Sequence, residues 1–170
     1  MEMIKHFLSE LEREAKRSRR ALEMVPANQR SWKPHEKSME FGYLADIVAT
    51  IPTWFTMIVN QDELDVAPKG GRPERPQPKN SAEYIALLET SASQAKEALE
   101  STNEAHLQTN WKLLAAGKVV AETPRHEMLR DTMNHWAHHR GQMTVYLRLL
   151  GANVPALYGP SADDKRFDLT

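Results

Sequence analysis

The 170-residue chain has no cysteine. That excludes disulfides, thiolate metal ligands and a cysteine nucleophile, so any metal held here takes nitrogen and oxygen donors. A reducing cytoplasmic setting fits the same absence. An excess of either charge is also missing: 22 basic residues stand against 23 acidic ones, which speaks against the strong positive field of a dedicated nucleic-acid binder. No apolar run approaches the roughly 20 residues that span a bilayer, and the start, Met1-Glu2-Met3-Ile4-Lys5-His6, turns charged at once, so no membrane partner is expected. Neither a Ser-His-Asp arrangement nor a phosphate-cradling glycine loop stands out, and no internal repeat is visible. The expectation is a soluble, cytoplasmic protein with one domain over 1–170, large enough to bury roughly two-thirds of the surface its unfolded chain exposes.

What is present is helical periodicity. Ile4, Leu8, Leu11, Ala15, Ser18, Leu22 and Val25 recur at alternating spacings of four and three, while Glu10, Glu12, Arg13, Lys16, Arg17 and Arg20 take the other faces. Pro26 closes this first helix, 27–37 reads as an extended connection containing Trp32 and Pro34, and Ser38 reads as the N-cap of a second helix. That helix spans Met39 to Asn60, with Leu44, Ile47, Val48, Ile51, Phe55 and Ile58 on one broad apolar face. Pro52 removes a backbone hydrogen bond inside it and should kink or divide it. Pro68, Gly70, Gly71, Pro73, Pro76 and Pro78 predict a mobile loop.

Ser81 then caps a third helix reaching Ser101, with a thinner stripe of Tyr84, Leu87, Leu88, Ala95, Ala98 and Leu99. Residues 111–122 pattern as a small hairpin. Pro124 suits the first turn of a fourth helix that runs to Leu150 and stops at Gly151. The tail, 152–170, reads as irregular but docked at first through Val154, Leu157 and Tyr158. The fold class expected is all-α, a four-helix bundle with long crossing loops and a small β-hairpin before the last helix. Such bundles build metal or ligand sites from inward-facing side chains of neighbouring helices.

Three of the seven histidines, His135, His138 and His139, fall within five positions of the fourth helix. His135 and His139, four apart, project from one face one turn apart, a spacing that suits two imidazole nitrogens on one metal ion. On a helical wheel the apolar face of Met128, Thr132, Met143, Tyr146 and Leu150 is centred close to His139, with His135 on its edge and Gln142 at its boundary. His138 and Arg140 fall to the polar side. Asp131, one turn before His135, is placed to accept a hydrogen bond from its ring. Two readings stay open. Either His139 is a core histidine satisfied by hydrogen bonds, or the two imidazoles hold a divalent metal, for which such a pair favours zinc, nickel or ferrous iron over magnesium or calcium. His6, His35, His106 and His126 are isolated and read as surface or boundary residues.

The stretches Trp32 to Met39, Asp62-Glu63-Leu64-Asp65, His135 to Gln142, Val145-Tyr146-Leu147-Arg148 and Val154 to Asp163 together resemble the DinB-like family of bacterial four-helix proteins. That resemblance implies an antiparallel-type bundle with an unusual order of connections, frequent homodimers and, in many members, a metal bound by three histidines. Two of those match His135 and His139. The third comes from a Leu-Ala-x-His stretch of helix two, which here is Leu44-Ala45-Asp46-Ile47, so this chain resembles a branch lacking that ligand. Asp46 lies about 140° from the centre of the helix-two apolar face, and Glu40 lies about 20° from Ile47 but roughly 10 Å along the axis. Neither restores a three-ligand site.

Some relatives transfer low-molecular-weight thiols to electrophiles and others are hydrolase-like, chemistry in which a metal lowers the pKa of a bound thiol or water. The resemblance therefore implies a divalent-metal-binding protein, a metal-dependent thiol transferase or hydrolase-like enzyme acting on a small molecule. His135 and His139 would be its ligands, Asp131 and Gln142 would stand beside them, and the glycine-proline loop would cover the site. The competing expectation, favoured by Ile47, is a non-catalytic bundle that binds a small molecule or acts as an interaction module in a stress response. A homodimer is implied by the resemblance alone.

Overall fold

The four-three spacing of the first segment does form a helix, α1 (Glu2–Glu23), in the computed structural model, which describes residues 2–71 and 75–167. Its buried face is Phe7, Leu11, Glu14, Ser18, Ala21 and Leu22. Ile4, Leu8 and Ala15, expected in the same stripe, stand half-buried beside it. A carboxylate and a hydroxyl on a core face require partners, and α1 finds them on the last helix.

Pro52 divides the second helical segment into α2 (Phe41–Thr50) and α3 (Pro52–Asn60), bent by 49°. The proline stands at the first turn of α3, where its missing N–H costs no hydrogen bond. Ser38 does not cap α2. Glu40 takes the N-cap position without a side-chain cap, and the helix start is fixed by backbone instead: Phe41 N donates to Trp32 O at 2.7 Å and Gly42 N to Arg30 O at 2.8 Å. A Cβ on Gly42 would fall 2.8 Å from the Arg30 Cβ, so glycine is what lets the connection lie this close.

Asn80 rather than Ser81 caps the next helix, α4 (Ser81–Ser101): its Oδ1 accepts from Glu83 N at 3.0 Å, and the Glu83 carboxylate reaches back to Lys79 N and the Asn80 amide, each at 2.8 Å. A short helix not expected from the pattern, α5 (Glu104–Leu107), follows. The predicted hairpin forms as β2 (Asn110–Ala115) and β3 (Lys118–Pro124), antiparallel, with Ala116 and Gly117 both in the left-handed region at its turn. A three-residue strand, β1 (Glu63–Asp65), joins β2 in parallel. The all-α expectation is therefore corrected to a mostly helical fold with a small mixed sheet ordered β1-β2-β3.

Pro124 ends β3 and occupies the N-cap position of α6 (Arg125–Leu149), one residue earlier than predicted. Gly151, at φ +72°, donates to Arg148 O, and Ala152 N donates to Leu147 O at 2.9 Å. This is the double hydrogen bond of a Schellman end. Beyond it the tail has no helix or strand through Phe167. Pro73 of the predicted loop and 168–170 of the predicted tail lie outside the described residues. Helix α4 packs on α1, α2 and α3, and α6 packs on α1, α2 and α3, around a core that includes Phe41, Phe55, Tyr84, Trp111 and Trp136. Among the described residues no single helix is long and apolar enough to cross a membrane.

Candidate functional site

The fully buried Trp136 fixes α6 against α2 by donating its indole N–H to Val48 O at 2.8 Å. The neighbouring positions of α6 then reach Trp54 of α3, which is half-buried; Ile47 of α2 is half-buried as well. His139 is buried, whereas His135, one turn earlier, is exposed at the rim, with the Trp54 ring 5.8 Å from its own. The two imidazoles meet at their Nε2 atoms, 3.2 Å apart, with the rings nearly perpendicular.

Gln142 decides the tautomer. Its Oε1 lies 2.9 Å from His139 Nδ1, and an amide oxygen only accepts, so the ring proton sits on Nδ1 and Nε2 turns its lone pair toward His135. Burial lowers the pKa of both histidines. The positive charge that His139 and His138 would carry adds to the effect on His135, while at His139 the Gln142 hydrogen bond partly opposes it. Near neutral pH both rings are thus uncharged, the state in which imidazole binds metal.

The donor set supplies part of a metal site. Tetrahedral zinc, with Zn–N bonds of about 2.0–2.1 Å, sets neighbouring donors about 3.3 Å apart, and the observed separation is 3.2 Å. The pair matches one edge of that polyhedron. Among the described residues no group of three His, Cys, Asp or Glu side chains converges. Ile47, the position at which the resemblance expects the third histidine, is half-buried on α2 and carries no donor atom. Asp46 is buried, with its two oxygens 3.0 and 2.8 Å from the Arg30 guanidinium, and Glu40 is exposed at the start of α2.

Of the residues expected around the pair, Gln142 is in place. Asp131 is not bonded to His135: it is exposed, and its carboxylate meets the adjacent Arg130 at 3.4 Å. An exposed carboxylate beside its own cation keeps its hydration, so it gains little by turning to a neutral ring. His138 is exposed with its ring 5.1 Å from that of His139, outside the pair. Three of the four isolated histidines hold backbone: His106 Nε2 contacts Val59 O at 2.8 Å, His126 Nδ1 contacts Leu107 O at 3.1 Å, and His35 Nδ1 accepts from Lys37 N.

Arg140 corrects the expectation of a polar-side residue. It is wholly buried, donating to Glu14 O at 3.2 Å and Ser18 Oγ at 2.9 Å, and pairing with the Glu14 carboxylate and the Tyr158 hydroxyl. The signal was in α1: Glu14 and Ser18, four apart on the core face, mark a place where a cation is wanted. Arg125 is a second buried cation that the sequence reading missed. It donates to Ile58 O, Gln61 O, Asn110 O, Thr109 Oγ1 and Asp62 Oδ1 at 2.6–3.0 Å, joining the end of α3 to β2 and α6. Asp65, in the same block as Asp62, accepts from Ala116 N and Gly117 N and so holds the hairpin turn.

Residues 1–166 match the family model described as "DinB family". A 43-residue stretch is 42% identical to the uncharacterised protein YrdA of Bacillus subtilis (strain 168), covering 25% of this chain and 26% of that protein, so the match spans about a quarter of the curated relative's length. Two crystal structures are similar in fold. The DinB-like protein YjoA from Bacillus subtilis has a TM-score of 0.61 at 20% identity, over 90% of this chain and 94% of that one. A DinB-like protein from Bacillus cereus ATCC 10987 has a TM-score of 0.69 at 21% identity, over 91% and 97% of the two chains. The resemblance read from scattered sequence blocks thus extends along nearly the whole chain, and the chain belongs to the DinB family.

Proposed function

We propose that this DinB protein binds one divalent transition-metal ion, zinc, nickel or ferrous iron, through His135 and His139, and acts on a small molecule as a metal-dependent transferase or hydrolase-like enzyme. The observation that carries the reading is the Nε2···Nε2 separation of 3.2 Å between two neutral imidazoles, one of them fixed in its tautomer by Gln142. A bound ion would supply a thiol or water of lowered pKa. The chain's own contributions are separate. Gln142 keeps the proton on His139 Nδ1, Trp54 packs against the ring of His135, and the absence of a third protein donor among the described residues leaves positions open for small-molecule ligands. The scaffold is read as a four-helix bundle in which α2 and α3 form one broken helix, and as a homodimer, which sedimentation at two concentrations checks.

The test is metal analysis and calorimetric titration of tag-free protein. Wild type should bind zinc in the micromolar range and His139→Ala should not. Ile47→His should tighten binding by about tenfold or more, since a third preformed donor joins the shell. Absence of binding to zinc, nickel and ferrous iron at micromolar metal would end the enzyme reading. A second reading, a non-catalytic bundle, is favoured by Ile47. There the two rings satisfy each other through an Nε2–H of His135 donated to His139 Nε2, and the variant Ile47→His gains no metal affinity.

A further inference from the structure

We propose that the polar cavity at the start of α2 is a binding site for a small zwitterion carrying one carboxylate and one ammonium group, the chemistry of free amino acids and short peptides. The cavity, about 480 Å³, lies where the 27–37 connection, α2 and the segment after residue 74 come together, and its charged lining among the described residues is Arg30, Glu40, Asp46 and Arg75. That volume is in the range that small-molecule sites occupy. The four charges sum to zero, but they are not equivalent.

Arg30 and Asp46 neutralise each other through two hydrogen bonds of 3.0 and 2.8 Å, and Arg30 is further held by Pro78 O at 3.0 Å and by the Tyr84 hydroxyl. This pair is structural. Among the described residues Arg75 and Glu40 make no ion pair or side-chain hydrogen bond. Arg75 is nonetheless positioned, its guanidinium carbon 4.3 Å from the centroid of the Tyr43 ring. A guanidinium laid over a ring keeps its N–H edges free, and those edges form the fork that grips a carboxylate in two places. Glu40 stands at the N-cap of α2 without bonding the helix N–H groups, so its carboxylate is available to an ammonium group.

Among the described residues, one unpaired cation and one unpaired anion in one cavity select for a ligand that carries both signs. A simple anion such as phosphate would gain Arg75 but confront Glu40, and a simple cation the reverse. The site needs no metal and stands apart from the histidine pair, so its test is run with chelator present and does not depend on the metal reading.

The experiment is calorimetric titration of the full-length protein in EDTA with glycine, diglycine and triglycine, which space the two charges progressively further apart. One member of the series should bind, and its N-acetylated and C-amidated forms should each bind at least about tenfold more weakly, the size expected for losing a charge-assisted contact. Arg75→Ala and Glu40→Gln, both at positions outside the core, should each produce a similar loss while circular dichroism stays unchanged. The proposal is overturned if no member binds at millimolar concentration, if the capped forms bind as well as the zwitterion, or if either variant keeps wild-type affinity.

Discussion

Arg140 has five N–H donors and no acceptor, and it sits where water does not reach. Four of its contacts are accounted for by Glu14 O, the Glu14 carboxylate, Ser18 Oγ and the Tyr158 hydroxyl, while its Nε has no partner among the described residues. Removing one member of such a pair leaves the other charge stranded in the core. Arg140→Ala should therefore lower the unfolding free energy by about 3–5 kcal/mol. The double variant Glu14→Leu/Arg140→Met should recover part of that loss, because the two most deeply buried charges leave together while Arg17 gives up its contact with Glu14. Urea unfolding of the two single variants and the double variant measures the coupling. Additive losses would mean that the pair does not act as a unit. The same position shows what a helical wheel leaves out. The wheel of one helix sent Arg140 to the polar side, whereas the apolar stripe of α1, which already contained Ser18, held the evidence that its neighbour must be polar.

At the scale of elements, the ends of helices separate what spacing can predict from what geometry decides. Ser81 and Asn80 are both good caps by residue type, and only the structure places Asn80 outside the helix with its Oδ1 on Glu83 N. Asn80→Ala should cost about 1 kcal/mol, whereas Ser81→Ala, at the first helical residue, should leave thermal stability nearly unchanged. Equal shifts in Tm for the two variants would argue against the assigned cap. Long periodic segments were legible for this reason: α1, α4 and α6 repeat their apolar positions over many turns, and Pro52 and Gly151 mark a break and an end by their own covalent constraints. Strand β1 was not legible. Three residues are too few to show a period of two, and the strand exists because β2, far along the chain, offers Lys112, Leu113 and Leu114 as its partners. The candidate site divides in the same way. The spacing of His135 and His139 and the boundary position of Gln142 could be read from one helix, while Trp54 and the orientation of Asp131 depend on a neighbouring element or on competition with solvent.

For the molecule as a whole, the network around Glu14 ties together parts that are distant in sequence. Tyr158 donates its hydroxyl to Glu14 Oε2 at 2.8 Å, Arg17 pairs with the same carboxylate and donates to Leu157 O at 3.2 Å, and its guanidinium lies 4.3 Å from the Tyr158 ring centroid. The tail is thereby fastened to α1 and α6, and a second clasp adds Asp163, which accepts from Arg148 and from Val154 N. Burial pushes the Glu14 carboxyl up, but Arg140, the Tyr158 hydroxyl and Arg17 more than offset it and hold the group below its ordinary value of 4.5. The sign of the pH dependence follows. In the unfolded chain Glu14 takes a proton near 4.5, while in the native protein it stays ionised to lower pH, so protons favour unfolding across that interval. The stabilisation is complete above the unfolded value and is lost as pH falls through the native one. Glu14→Gln cannot take up that proton. Its stability below that of wild type at neutral pH is expected, since Arg140 loses its counter-charge, but the informative quantity is the slope. Urea unfolding at a series of pH values from neutral into the acid range should show wild-type stability declining more steeply than that of Glu14→Gln once pH drops under the ordinary carboxylate range, with tail release reported by Tyr158 fluorescence along the same curve. Parallel slopes for the two proteins would place the acid sensitivity elsewhere and remove Glu14 as the group that couples the tail to the helices.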